Sequence, residues 1–186
     1  MTRFGYVMVT TFVAGLFVAL FVAVAVLDPA PRLIWNASAS APIGLYAVRP
    51  PEPPKVGELV AVTPPTALAD WLAKRGYLPH GVPLLKQIAG LPGQRVCRSG
   101  YAISIDARPL GKARGRDSQG LPLPVWNGCR TIGRGELFLM NSAAPDSLDG
   151  RYFGPLPHTA VLGRAIPLWT NPPRMPAPFK ISLKGE

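Results

Sequence analysis

Residues 84–97, with the sequence LLKQIAGLPGQRVC, contain the pattern that decides the fold class. Residues 84–89 form a short apolar run, as expected of a β-strand. The Leu-Pro-Gly turn at residues 91–93 then reverses the chain, and residues 95–97 resume a strand. Lys86 lies in the first strand, and its neighbours on the same strand face are apolar. This segment predicts two strands joined by a turn, with a lysine set among apolar side chains in the first strand.

The same kind of pattern recurs along the chain and predicts a mainly β domain of about 150 residues. The chain contains 23 prolines, which favour strands, turns and loops over helices. Further strands are predicted at residues 56–62, 101–105, 136–140 and 161–168. One short soluble helix is predicted at residues 66–75, with Gly76 as its stop. Residues 111–124 and 141–150 are expected to be polar loops.

Residues 4–27 contain 24 amino acids without a charge. As a helix they would extend about 36 Å, enough to cross a hydrocarbon core of about 30 Å. They predict a single-pass anchor, and a cleaved signal peptide is the alternative. Arg3 and the amino terminus favour a cytoplasmic end at residues 1–3. The domain that follows, residues 32–170, would then be periplasmic at the inner membrane, followed by a C-terminal tail at 171–186.

Charge and cysteine content narrow the partners and cofactors. The formal net charge is +10, but the basic residues are scattered and no reading motif accompanies them. A basic surface facing an anionic lipid bilayer is therefore expected, and nucleic-acid binding is not. Cys97 and Cys129 form no Cys-x-x-Cys pair, and no histidine completes a metal site, so neither a metal nor another cofactor is predicted. Behind an export segment a Cys97–Cys129 disulfide is expected; two buried thiols are the alternative.

Few residues suit nucleophilic catalysis. His80 and His158 lie in proline-flanked loops without a recognisable triad. Lys86 is the lysine whose apolar neighbours best suit a general base, because desolvation favours the neutral amine. Taken alone, it could equally be a strand lysine that points to solvent. Ser38 and Ser40 lie among small residues that leave a hydroxyl accessible, although the same composition is typical of a linker.

Taken together, several segments resemble the signal peptidase I family, and specifically its TraF-type branch of conjugative transfer peptidases. Four blocks in order support the resemblance: SASAPIGLY at 38–46, GELV at 57–60, LKQIAGLPG at 85–93 and DSLDGRYFGP at 146–155. The run LGRAIPLW at 162–169 is also similar to the TraF branch. The resemblance implies a LexA-like β catalytic domain of the signal peptidase type, behind one N-terminal transmembrane helix.

The resemblance also implies residue roles. Ser40 matches the nucleophile, and Lys86 matches the base that takes its proton. Ser38 matches the serine whose hydroxyl joins the Ser40 backbone N–H in the oxyanion hole. Ser147 matches a serine that orients the lysine. Asp149 and Arg151 match a structural ion pair near the site.

Three departures from the general signal peptidases accompany these matches. The general signal peptidases have methionine directly after the nucleophile, whereas this chain has Ala41 there, as the TraF branch does. Gly150 replaces a serine that is common in the fourth block. The accessory β region is expected to be shortened to about residues 97–129, the span between the two cysteines.

The resemblance implies a serine endopeptidase that acts on a membrane-tethered protein substrate. In the TraF branch this substrate is a pilin precursor, which an internal amine can close into a ring after cleavage. Contacts with a conjugative transfer apparatus are then expected. Two other functions remain open from the sequence: a general type I signal peptidase for exported preproteins, and a non-catalytic assembly factor of a transfer apparatus.

Overall fold

The computed structural model describes residues 3–27 and 32–171, which belong to two compact units divided after residue 31. The first unit contains one helix, α1 (Arg3–Leu27), whose side chains are all accessible. By length and composition α1 could cross a membrane or serve as a signal sequence. The hydroxyls of Thr10 and Thr11 donate back to carbonyls of the preceding turn, so they expose no unpaired donor.

The second unit is built on a seven-stranded sheet. Its neighbouring strands are antiparallel, in the order β1-β2-β11-β3-β4-β9-β10. These strands are β1 (Leu33–Asn36), β2 (Gly44–Arg49), β3 (Leu59–Val62), β4 (Leu84–Gly90), β9 (Glu136–Leu139), β10 (Leu156–Pro157) and β11 (Val161–Thr170). Strand β4, which contains Lys86, is therefore an inner strand between β3 and β9.

A smaller sheet follows β4 in sequence, with strands in the order β7-β6-β5-β8. These are β5 (Arg95–Ser99), β6 (Ala102–Ile105), β7 (Arg108–Lys112) and β8 (Gly128–Thr131). Cys97 and Cys129 lie opposite each other on β5 and β8 and form a disulfide. The expected disulfide is thus confirmed. The disulfide adds a covalent bond to the backbone pairing of β5 with β8, a strand whose four residues are all exposed.

Strand β9 joins the cores of the two sheets, because its side chains alternate between faces. Leu137 and Leu139 pack with residues of β3 and β4 under the large sheet. Phe138 packs with Met140 and with the apolar side chains of β5 and β6. The chain therefore leaves β9 between two packed layers, and after Met140 it enters at Asn141 the loop that reaches the candidate site.

Short helices complete the second unit: α2 (Thr66–Lys74), α3 (Gly150–Phe153) and a 3₁₀ turn (His158–Ala160). Helix α2 buries Leu72 and ends at Lys74; Gly76, two residues later, has a φ of 71°, which glycine readily adopts. The predicted soluble helix and its stop are confirmed. Helix α3 begins with Asp149, whose side chain accepts the Arg151 backbone N–H.

The mainly β fold class is confirmed, and the predicted strands over 56–62, 84–89, 95–97, 101–105, 136–140 and 161–168 correspond to β3, β4, β5, β6, β9 and β11. Strands β1, β2, β7, β8 and β10 were not predicted. Strand β8, Gly-Cys-Arg-Thr, has no buried residue and forms through its pairing with β5. Strand β2 begins at the glycine of a Pro-Ile-Gly segment, whose sequence predicts a turn and not the start of a strand. Of the tail at 171–186, residues 172–186 lie outside the described residues.

Candidate active site

The segment that contains Ser38 and Ser40 is held by one asparagine. Asn36 is the last residue of β1 and is 7% exposed. Its Nδ2 donates to the carbonyls of Ser38, Ala41 and Pro42 at 2.9–3.0 Å. Its Oδ1 accepts the Ser38 backbone N–H at 3.1 Å and the Ser38 hydroxyl at 2.9 Å. The loop is therefore a bonded turn with a defined conformation.

The two serine hydroxyls of this turn contact each other. Ser38 Oγ and Ser40 Oγ lie 2.9 Å apart. Because the Ser38 hydroxyl donates to Asn36, the hydrogen between the two serines is that of Ser40. No described residue accepts the Ser40 backbone N–H. This N–H and the Ser38 hydroxyl could both serve as donors to a developing oxyanion.

Lys86 lies in the middle of β4 and is 4% exposed. Its Nζ donates to Ser147 Oγ at 2.7 Å, and Ser147 is itself buried. Burial lowers the pKa of Lys86 from its ordinary 10.5 to about 8; the charge of Asp149 opposes this shift and that of Arg151 adds to it. A fraction of this lysine is therefore neutral near physiological pH, and its position is fixed.

Asp149 and Arg151 form a fully buried ion pair beside this lysine. Arg151 Nε and Nη2 donate to the two carboxylate oxygens at 2.9 and 2.8 Å, a bidentate arrangement. Arg151 Nη2 also donates to the carbonyls of Asn141 and Ala144, at 3.1 and 2.6 Å. The pair thus fixes the loop between β9 and α3, which contains Ser147.

Asn141 connects the serine turn with the lysine strand. This side chain, 3% exposed, donates through Nδ2 to the Ser40 carbonyl at 2.7 Å and to the Leu85 carbonyl at 3.0 Å. Its Oδ1 accepts the Gln87 backbone N–H at 2.8 Å. Within the described chain no hydrogen bond joins Ser40 Oγ directly to Lys86 Nζ. Asn141 therefore provides the observed link between the two segments.

The predicted site residues form three contacts, of which one joins distant parts of the sequence. Lys86 meets Ser147 across 61 positions, whereas Ser38 and Ser40 face each other, and Asp149 pairs with Arg151, within single short segments. The two histidines lie on the surface, and His80 is 3.7 Å from the exposed Asp70. Asn36 and Asn141 were not predicted. An Asn two residues before a serine is a known turn signal and could have indicated Asn36, whereas nothing in the sequence distinguishes Asn141.

Comparisons with known proteins show which proteins this chain is similar to. A family model described as signal peptidase, peptidase S26, matches residues 5–169. The conjugal transfer protein TraF of Agrobacterium fabrum is 38% identical, covering 74% of this chain and 82% of that protein. The plasmid transfer protein TraF of Escherichia coli is 30% identical, covering 65% and 73%. A crystal structure of a signal peptidase I from Enterococcus faecalis is 19% identical, covering 61% of this chain and 97% of that chain with a TM-score of 0.38.

Proposed function

This chain belongs to the signal peptidase family, peptidase S26, and on that premise we propose that it is a membrane-anchored serine endopeptidase with a Ser40–Lys86 dyad. The observation that supports this most strongly is the setting of Lys86. It is 4% exposed and bonded to Ser147, and its strand is joined to the Ser40 turn through Asn141. A lysine that acts as a base must be neutral, and burial of this amine favours the neutral form.

In the proposed reaction the Ser40 hydroxyl turns from Ser38 toward the lone pair of neutral Lys86. Lys86 takes the hydroxyl proton while Ser40 Oγ attacks the scissile carbonyl carbon. The Ser40 N–H stabilises the resulting oxyanion, and the Ser38 hydroxyl joins it when its hydrogen turns from Asn36 to the oxyanion. Lys86 then protonates the leaving amine, and the acyl-enzyme remains. Water, or an amine of the substrate, attacks the acyl-enzyme and restores Ser40 with Lys86 again as the base.

The proposed substrate is a membrane-tethered precursor, most specifically the pilin precursor of a conjugative transfer system. The similarity to proteins named for conjugal and plasmid transfer supports this choice. In the proposal α1 anchors the chain in the inner membrane, and the catalytic unit is periplasmic. A tethered enzyme meets a tethered substrate at a high effective concentration, which compensates for weak intrinsic affinity.

Co-expression with the pilin precursor from the same transfer locus tests this proposal. The intact mass of the pilin is measured with the wild-type chain, Ser40→Ala and Lys86→Ala. We expect a peptide to be lost with the wild-type chain alone, because each variant removes one half of the dyad. A further deficit of one water would indicate ring closure.

Exposed residues of the same types supply matched controls: Ser118→Ala and Lys55→Ala should process the pilin as the wild type does. Processing that persists in Ser40→Ala or Lys86→Ala would contradict the dyad. If the pilin mass is unchanged with every variant, the pilin assignment is wrong, and exported preproteins become the next substrates to test.

A further inference from the structure

Asn141 uses both ends of its side-chain amide on backbone groups of the candidate site. We call its three bonds, to the Ser40 carbonyl, the Leu85 carbonyl and the Gln87 N–H, the asparagine bridge. Leu85 and Gln87 flank Lys86, so the bridge holds the lysine strand on both sides of the proposed base. The remaining partner, the Ser40 carbonyl, belongs to the proposed nucleophile itself.

Asparagine suits this position because it combines a two-hydrogen donor and an acceptor on one short planar group. The two carbonyls face the donor end, and the backbone N–H faces the acceptor end. A reversed amide would set an oxygen against two carbonyl oxygens, so the contacts fix the amide orientation. Aspartate has the same shape, but it would place a carboxylate oxygen against the same two carbonyls.

The backbone of Asn141 is fixed independently of its side chain. Its N–H donates to Asp149 Oδ2 at 3.1 Å, and its carbonyl accepts Arg151 Nη2 at 3.1 Å. Both partners belong to the buried ion pair. The asparagine bridge therefore extends from a rigid support, so that its length sets the separation of the segments it joins.

We propose that Asn141 is a positioning residue that sets the distance and orientation of Ser40 relative to Lys86 through the asparagine bridge. The inference rests on the proposed function of the dyad. The Asn141 side chain bonds only backbone groups, and it contacts neither the Ser40 hydroxyl nor the Lys86 amine. It therefore acts on the reaction through the placement of Ser40 and Lys86. A displacement of about 1 Å between reacting groups can lower a rate about 100-fold.

Steady-state kinetics of the full chain in detergent, with the purified pilin precursor as substrate, test this inference. Asn141→Ala removes all three bonds, and we expect kcat to fall about 10- to 100-fold. The matched control is Asn127→Ala, the same change at an exposed loop asparagine, which should leave kcat unchanged. A kcat for Asn141→Ala within about 2-fold of wild type would overturn the inference.

A second variant separates positioning from general structural support. Asn141→Asp keeps the acceptor for Gln87 but replaces the donor that holds the Ser40 and Leu85 carbonyls with an acceptor. The two segments should then be displaced while the groups that bind substrate stay, so kcat should fall about 10-fold or more and KM should stay near that of the wild type. A kcat for Asn141→Asp near that of the wild type would show that Asn141 supports the fold without placing the dyad.

Hydrogen exchange measures the asparagine bridge without any substrate. In the wild type the Gln87 amide should exchange slowly, and Asn141→Ala should speed its exchange while Asn127→Ala does not. Unchanged protection of Gln87 in Asn141→Ala would overturn the inference. A different result is that Asn141→Ala loses protection of Gln87 while neither the wild type nor any variant cleaves the pilin. That result would support the asparagine bridge and contradict the pilin as the substrate.

Discussion

Lys86 has an amine that is both buried and bonded to one acceptor, Ser147. One of its hydrogens is directed to that acceptor, which leaves the lone pair of the neutral amine for another partner. The neighbouring charges of Asp149 and Arg151 influence the amine in opposite directions, so desolvation remains the largest effect on its pKa. A lysine in this setting can accept a proton at a pH where ordinary surface lysines cannot.

The pH dependence of cleavage should therefore show an acid limb near pH 8. The pKa of Lys86 is lowered to about 8, so below that pH most Lys86 is protonated and cannot accept the Ser40 proton. We expect kcat/KM to fall about tenfold for each pH unit below this limb and to level off above it. The measurement is the initial cleavage rate of a purified precursor between pH 5 and about pH 10.

The histidines provide the control for this profile. His80→Gln and His158→Gln alter two exposed side chains, and neither should move the limb. The unperturbed pKa of a histidine side chain is about 6.5. A limb near that pH that disappears in either variant would contradict the assignment of Lys86 as the base.

At the level of elements, the loop from β9 to α3 is where the large sheet, the small sheet and the proposed dyad meet. It begins at Asn141, passes Ser147 and ends at the ion pair that starts α3. Arg98 of β5, also buried, donates to the Arg151 carbonyl at 2.6 Å and so connects the small sheet to this loop. The placement of Ser147 therefore depends on packing from both sheets.

Gly150, the first residue of α3, lies where a side chain would collide with β9. A Cβ at this position would lie 2.7 Å from the Leu139 carbonyl oxygen and 2.7 Å from the Phe138 ring. Both neighbours belong to β9, and both are buried. A serine side chain at this position would not fit without a shift of the loop relative to β9.

Gly150→Ser should therefore destabilise the protein by about 1–3 kcal/mol, the usual range for overpacking a core. Chemical denaturation of the full chain in detergent measures the change in the free energy of unfolding. The matched control is Gly135→Ser, because a Cβ at Gly135 meets no atom within 4 Å. Equal stability of the two variants would contradict the steric explanation.

At the scale of the whole molecule, α1 and the catalytic unit have separate tasks in the proposed function. Helix α1 has an accessible apolar surface along its whole length, which is costly in water and favourable in lipid. The second unit contains the proposed dyad, both sheets and the disulfide. Removing the helix should therefore affect encounter with a tethered substrate more than the chemical step.

A chain that lacks residues 1–31 should leave the membrane fraction. Its kcat on a soluble peptide that contains the cleavage site should stay near that of the full chain. Cleavage of the membrane-bound precursor should fall by about 100-fold or more, because the effective concentration from tethering is lost. Parallel assays on the two substrates, with and without the helix, measure both effects.

The intact mass of the full chain isolated from membranes distinguishes an anchor from a signal sequence. Retention of residues 1–27 in the mature protein agrees with an anchor. A mature protein that has lost them would contradict anchoring by α1 and leave the catalytic proposal unaffected.

The sequence by itself determined the parts of this protein that local patterns specify. The apolar run at 4–27 specifies a helix by length and lack of charge, and α1 occupies Arg3–Leu27. Apolar runs between turn residues specify most of the inner strands, including β4 with Lys86. Ordered blocks along the chain also sufficed to indicate the peptidase family.

Tertiary structure alone decided what depends on contacts between distant segments. The exposed strand β8 forms because β5 lies beside it, and no local pattern of its own four residues requires a strand. The burial of Lys86, and with it the lowered pKa, results from packing by the loop after β9, more than fifty positions away. Asn141 is an ordinary loop residue in the sequence, and it acquires its role only where folding places the Ser40 carbonyl 2.7 Å from its amide.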